Sequence, residues 1–127
     1  MVKMDVLKFS TIAVDFDGTL CYSRWPNLGT PNKELIDYLI AWKQRGNKLI
    51  LWTCREGEIL EQAVVWCKNY GLEFDAINDN LPENIELFGN NSRKVSCDYY
   101  IDDKCYNPHS NFLIEENRQD CNIMLLV

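Results

Sequence analysis

Asp15 and Asp17 stand one residue apart at the end of the apolar run Thr11-Ile12-Ala13-Val14, with Gly18 and Thr19 directly after them. Two neighbouring carboxylates are hard oxygen donors that attract Mg²⁺, which takes a few such oxygens and keeps its other positions for water and substrate phosphate. A carboxylate beside that cation can also act as a nucleophile toward phosphorus, so the pair suits phosphoryl transfer. The β-branched run reads as a buried strand, and in a parallel α/β sheet the chemistry collects beyond the carboxyl ends of the strands. Side-chain alternation lets Asp15 and Asp17 point the same way while Phe16 turns toward the body. The plain alternative is an acidic strand-to-turn corner.

Further elements must position this pair. Residues 21 to 31, with Trp25-Pro26 and Gly29, read as a loop, and Thr30-Pro31 reads as an N-cap followed by the first residue of a helix. Leu35, Ile36, Leu39, Ile40 and Trp42 fall at helical spacing, giving a helix over about residues 31 to 45 that Gly46 closes. Lys48 to Thr53 reads as a second buried strand with Thr53 at its carboxyl end. Ile59, Leu60, Ala63, Val64, Trp66, Cys67 and Tyr70 mark a second helix, closed by Gly71. A strand over Phe74 to Ile77, a turn at Asn78-Asp79-Asn80, a short helix opened by Pro82 and a loop at 89 to 92 follow. Cys97 to Ile101 reads as a strand ending on Asp102-Asp103, and segments 111 to 114 and 123 to 126 as two further strands. Strands alternating with helices give a three-layer, Rossmann-like α/β fold, a parallel sheet flanked by helices.

Composition narrows the classes. A chain of 127 residues, 46% apolar, fits one domain over residues 1 to 127 with a sizeable core. Its net charge of −6 and its single adjacent basic pair, Arg93-Lys94, argue against an extended nucleic-acid surface. No stretch reaches the length of a membrane span and the first residues lack the apolar core of a signal peptide, so a cytoplasmic location is expected. The six cysteines form no Cys-x-x-Cys and are expected as reduced thiols. A P-loop, a Gly-x-Gly-x-x-Gly and a Cys followed six positions later by Arg are all missing, which closes those routes to phosphate chemistry.

Strand ends alone give Asp15 and Asp17, then Thr53, then Asp102-Asp103, with Lys94 shortly before the last pair. In that order the motifs resemble the haloacid dehalogenase-like superfamily, over about residues 10 to 103. The resemblance implies a Mg²⁺-dependent phosphatase in which Asp15 is the nucleophile and Asp17 the general acid and base, with its backbone carbonyl on the metal. It also implies that Thr53 and Lys94 bind the phosphoryl group and that Asp102 and Asp103 complete the metal site, Asp103 ahead of Asp102. Arg55 is a candidate for substrate phosphate or for an ion pair with Glu58. Trp25, with Arg24 before it, lies where this superfamily carries a flap; its ring would stack on a base or sugar, or pack beside Pro26. Lys104 is a second lysine near the site, and His109 reads as a surface residue.

The superfamily's cap domains are missing from this pattern, because too few residues separate Leu20 from Asn32 or Thr53 from Lys94. An open site follows, which a second copy of the chain could cover, and the candidate substrates are sugar phosphates, nucleotides or a phosphate borne by a partner. A phosphotransferase or mutase of the same fold, a receiver-like phospho-acceptor and a catalytically idle binding domain are the competing readings. A receiver places its acidic metal pair first and its Lys last, the reverse of the order here.

Overall fold

The computed structural model describes residues 9–105. The elements run β1 (Thr11–Val14), β2 (Cys21–Arg24), β3 (Asn27–Pro31), α1 (Lys33–Gln44), β4 (Lys48–Leu51), α2 (Gly57–Asn69), β5 (Ala76–Ile77), α3 (Pro82–Phe88) and β6 (Tyr99–Ile101). Four of the strands form one sheet in the order β5-β4-β1-β6, and every pairing in it is parallel. The two strands in the middle are the apolar runs, as expected: Thr11–Val14 is buried throughout, as are Leu49, Ile50 and Leu51. Parallel strands covered on both faces have no solvated side to which polar residues could alternate.

One face packs Ile12, Val14, Leu49, Leu51 and Ile101 against Leu35, Ile36, Leu39 and Trp42 of α1 and Ala63 and Cys67 of α2. The opposite face packs Ala13 and Ile50 against Leu81 and Val95, from the segment that carries α3. This split follows from chain direction. The first two crossovers step one way along the sheet, from β1 to β4 to β5, and the third returns past β1 to β6. Right-handed crossovers in opposite directions lie on opposite faces. The reversal falls between β1 and β6, and at such a switch point the segments leaving adjacent strands diverge and open a crevice at the carboxyl ends.

Local chemistry moves several boundaries. Residues 21 to 31 are an antiparallel hairpin, β2 with β3, rather than a loop. Its strands are short and largely exposed, so they carry no apolar alternation to read, and a Cβ on Gly29 would collide with the Tyr22 carbonyl across the pair. The first helix is capped by Asn32, not Thr30: the Asn32 side chain accepts from Leu35 N at 3.3 Å and donates to the Thr19 carbonyl at 2.9 Å. Thr30 and Pro31 are taken up by the hairpin, paired with Tyr22 and Cys21, so the helix opens at Asn32.

The last two sheet strands are shorter than expected because aspartate side chains replace part of the ladder. Asp75 accepts from Leu49 N at 2.8 Å, and Asp98 accepts from Thr11 N at 2.7 Å. The second strand likewise stops at Leu51, leaving Thr53 in the loop beyond it. Cys21 and Cys67 pack in the core as thiols, burial pushing Cys67 up to about 12. No helix among the described residues is long and apolar enough to cross a membrane. The expected strands at 111 to 114 and 123 to 126, and His109, lie outside the described residues.

Asn80 ties the second face to the site. It is buried, donates from Nδ2 to Asn91 Oδ1 at 2.8 Å and to Ser92 O at 2.9 Å, and accepts from Ser96 N at 2.5 Å. These bonds fix the path of the segment leading into β6. Asn80→Ala removes all three bonds and is expected to cost about 1–3 kcal/mol in urea unfolding. A loss too small to measure would show that the segment is held by Val95 packing alone.

Candidate functional site

Register brings the carboxylates together. Val14 is the partner of Ile101 across β1 and β6, and Asp15 N donates to Ile101 O at 2.8 Å. The next residues on the two strands, Asp15 and Asp102, therefore emerge side by side at the switch point, with Asp103 one step further. Carboxylate oxygens of Asp15, Asp102 and Asp103 all lie within 4.8 Å of one another. Gly18 closes the fourth side at φ +84°, and a Cβ there would collide with the Asp103 carboxylate. A side chain in place of this glycine would thus displace Asp103 as well as strain the backbone.

The site is electrostatically loaded. Burial, then the charge of Asp102 and, more weakly, of Asp103, pushes Asp15 up to about 7, against the opposing pull of the Thr19 hydroxyl. Thr19 Oγ1 donates to Asp15 Oδ2 at 2.9 Å. Asp102 is raised as well, chiefly by burial, while Lys104 N, donating to its Oδ1 at 3.0 Å, opposes the shift. Lys104 Nζ lies 3.8 Å from Asp103 Oδ2, but that lysine is almost fully exposed, and a pair of this kind contributes little. Like charges this close disfavour joint ionisation, and a bound cation removes the conflict. The three carboxylates form an all-oxygen donor set, suited to a hard divalent cation with water on its remaining positions; the set by itself does not select Mg²⁺.

Asp17 stands apart from the three. The strand ends at Val14 and the chain coils, with Thr19, Leu20 and Cys21 N all directed to Phe16 O. The period-two alternation therefore holds for Phe16, which is fully buried, and stops before Asp17. The Asp17 carboxylate instead meets Arg55: Nε lies 2.9 Å from Oδ2 and 3.2 Å from Oδ1, and Nη2 lies 2.8 Å from Oδ1. Arg55 was expected to reach substrate phosphate or Glu58. Its ion pair is with Asp17 rather than Glu58: the side chain is completely buried, with Nη1 donating to Ile59 O at 3.3 Å.

Thr53 sits in the loop after β4, its hydroxyl accepting from Arg55 N at 3.1 Å, which leaves the hydroxyl proton to donate elsewhere. Asn78 holds this loop. Its Oδ1 accepts from Thr53 N at 2.7 Å and its Nδ2 donates to Arg55 O at 3.3 Å, from a backbone at φ +53°. Lys94 is exposed and makes no ion pair among the described residues; the ammonium beside the acidic cluster is that of Lys104. Trp25 neither packs beside Pro26 alone nor stands free: its ring lies 4.9 Å from the Arg55 guanidinium carbon. The sequence reading missed Thr19, Asn78 and the Arg55–Asp17 pair. Thr19 and Asn78 carry local signals, a hydroxyl four residues after Asp15 and an Asn in a turn; the ion pair, spanning 38 positions, carries none.

Fold and site together define an α/β protein whose parallel sheet gathers three aspartates at its switch point. No protein-family model and no curated protein matches the chain. A solved structure of a conserved protein from Bacteroides thetaiotaomicron is similar to it at 37% sequence identity and a TM-score of 0.69, over 92% of this chain and 98% of that one. At that identity and coverage the chain belongs to the same family as that conserved protein.

The raised Asp15 has a definite sign. Burial favours the neutral acid, so Asp15 holds its proton more tightly folded than unfolded, and its contribution to stability is complete below the ordinary value of 3.8 and lost as pH rises through about 7. Chelator-treated protein should therefore lose thermal stability across that window. Divalent cation binding displaces the same proton, so affinity measured by calorimetry should fall by roughly tenfold for each pH unit below about 7. Affinity indifferent to pH there would place the cation away from Asp15.

Proposed function

We propose that this chain is a phosphomonoester hydrolase of the haloacid dehalogenase-like superfamily, dependent on Mg²⁺ and working through an aspartyl phosphate on Asp15. The observation that carries the reading is the convergence of Asp15, Asp102 and Asp103 beyond the carboxyl ends of β1 and β6. The order of the parallel strands supports a three-layer, Rossmann-like arrangement. Only the β2–β3 hairpin stands between Leu20 and α1, and only α2, β5 and α3 between Thr53 and Lys94, which supports a capless form.

Phosphoryl transfer passes through a loose transition state whose charge spreads over the phosphoryl oxygens, so catalysis is mainly positioning and charge stabilisation. Asp15 attacks phosphorus in line with the leaving oxygen, forming the Asp15–phosphorus bond as the ester bond breaks. Asp17 gives its proton to the departing alkoxide and then takes one from the water that hydrolyses the aspartyl phosphate, returning Asp15 to its free form. Thr53 donates its hydroxyl proton to a phosphoryl oxygen. Asp15, Asp102 and Asp103, with the Asp17 carbonyl that the resemblance implies, would hold Mg²⁺, which when bound offsets the carboxylate charge and polarises a phosphoryl oxygen. Lys94 would offset phosphoryl charge only after its side chain swings in from solvent. A phosphorylated metabolite or a phosphate carried by a partner molecule fits an open site.

The test is phosphate release from aryl, sugar and nucleotide monoesters with Mg²⁺ or chelator. Wild-type protein should turn over at least one ester only with the metal, and Asp15→Asn should lose about a thousandfold or more in kcat. Without metal, above about pH 7, the variant should be at least as stable as wild type because it removes a charge that burial disfavours. Undiminished release by Asp15→Asn would rule out the covalent route.

A further inference from the structure

Arg55, with no exposed side-chain surface, forks onto the Asp17 carboxylate. Arg55 is the largest completely buried side chain of the described residues, and a buried ion pair of this kind is often replaceable by apolar side chains without loss of stability. Its guanidinium is constrained on all sides. The edge formed by Nε and Nη2 forks onto Asp17, the opposite nitrogen is held by Ile59 O, one ring face comes from Phe16 at 5.1 Å, and another from Trp25 at 4.9 Å. Phe16 is itself fixed by Trp66, whose ring meets it edge-on at 5.4 Å. Asn78 and Thr53 hold the Arg55 backbone from the other end. Every contact that fixes Arg55 therefore also fixes the direction of the Asp17 carboxylate.

We infer that Arg55, packed against Phe16 and Trp25, is the positioning residue for Asp17, setting which carboxylate oxygen faces the substrate. The inference rests on the acid–base role proposed above for Asp17. Within the fork Oδ1 takes contacts from both Nε and Nη2, whereas Oδ2 takes one from Nε. Oδ2 is thus the oxygen that exchanges a proton with the leaving group, and Oδ1 is the anchored one. Trp25 makes the hairpin part of this machinery: it is 58% exposed, so its indole covers Arg55 with one side and meets solvent with the other. A planar fork is what aligns two oxygens at once; a lysine ammonium keeps the charge and loses the alignment.

Leaving-group dependence separates this role from a merely structural one. Protonation of the departing oxygen matters most for a poor leaving group such as an alkoxide, and least for an aryl oxide that departs as the anion. Arg55→Lys should therefore lower kcat/KM, which reports the phosphorylation of Asp15, by about a hundredfold on an alkyl phosphate and by only a few fold on an aryl phosphate. Trp25→Leu keeps the fork and uncovers one face, and should show the same bias at smaller size; it carries the test if Arg55→Lys fails to fold by circular dichroism. An equal loss of kcat/KM on both esters, or none, overturns the inference while leaving the phosphatase reading intact. Wild-type protein that turns over neither ester sinks that reading and this inference with it.

Discussion

Carboxylates crowded into a partly buried corner repel one another, and the rest of this structure is arranged around imposing that crowding. Asp15, Asp102 and Asp103 cannot relax apart, because their backbones leave adjacent parallel strands whose register is locked from Thr11 to Ile101. The apolar side chains of Ile12, Val14, Leu49 and Leu51 supply the burial that makes the lock stiff. Fully burying one such side chain is worth roughly 1.5–3 kcal/mol, so the sheet centre can sustain an electrostatic conflict at its end. The conflict shows as an Asp15 pushed up to about 7. A bound cation would remove the repulsion that the fold imposes on these three carboxylates.

A second layer of polar contacts surrounds the first and is made almost entirely of side chains bonded to backbone. Asn32 joins α1 to the Thr19 carbonyl, Asn78 joins the Thr53 loop to the end of β5, and Asn80 holds the segment entering β6. Each bond fixes a loop at the carboxyl end of the sheet, where backbone groups have no ladder to satisfy them. Thr19, delivered by the coil that follows Phe16, then donates directly to Asp15.

Much of this was legible in the sequence, and the boundary of legibility is physical. The runs Thr11–Val14 and Lys48–Leu51, the helix over Lys33–Gln44 and the short helix at Pro82 announce themselves through periodicity and caps, which are local properties. The adjacency of Asp15 to Asp102 follows once both are recognised as strand ends. The hairpin was hidden because its strands are exposed and short, and the shortened outer strands because Asp75 and Asp98 substitute side-chain oxygens for ladder carbonyls. Arg55 two residues after Thr53 reads in sequence as an anion binder, and only the folded chain reveals that it is buried against Asp17. Lys94 remains exposed with no described partner for its ammonium, whereas Lys104, beside the acidic pair in sequence, is the lysine that approaches it.

A phosphoryl group bonded to Asp15 is the species that distinguishes a covalent phosphatase from every other use of this site. Rapid quenching during turnover of a phosphomonoester, followed by borohydride reduction and peptide mapping by mass spectrometry, converts an aspartyl phosphate into homoserine at the modified position. Homoserine is expected at position 15 in wild-type protein and at no other aspartate, with more of it in Asp17→Asn turning over an aryl ester, whose leaving group needs no proton while hydrolysis of the intermediate is slowed. Phosphate release with no modified aspartate, or modification confined to Asp102 or Asp103, would contradict an aspartyl phosphate on Asp15.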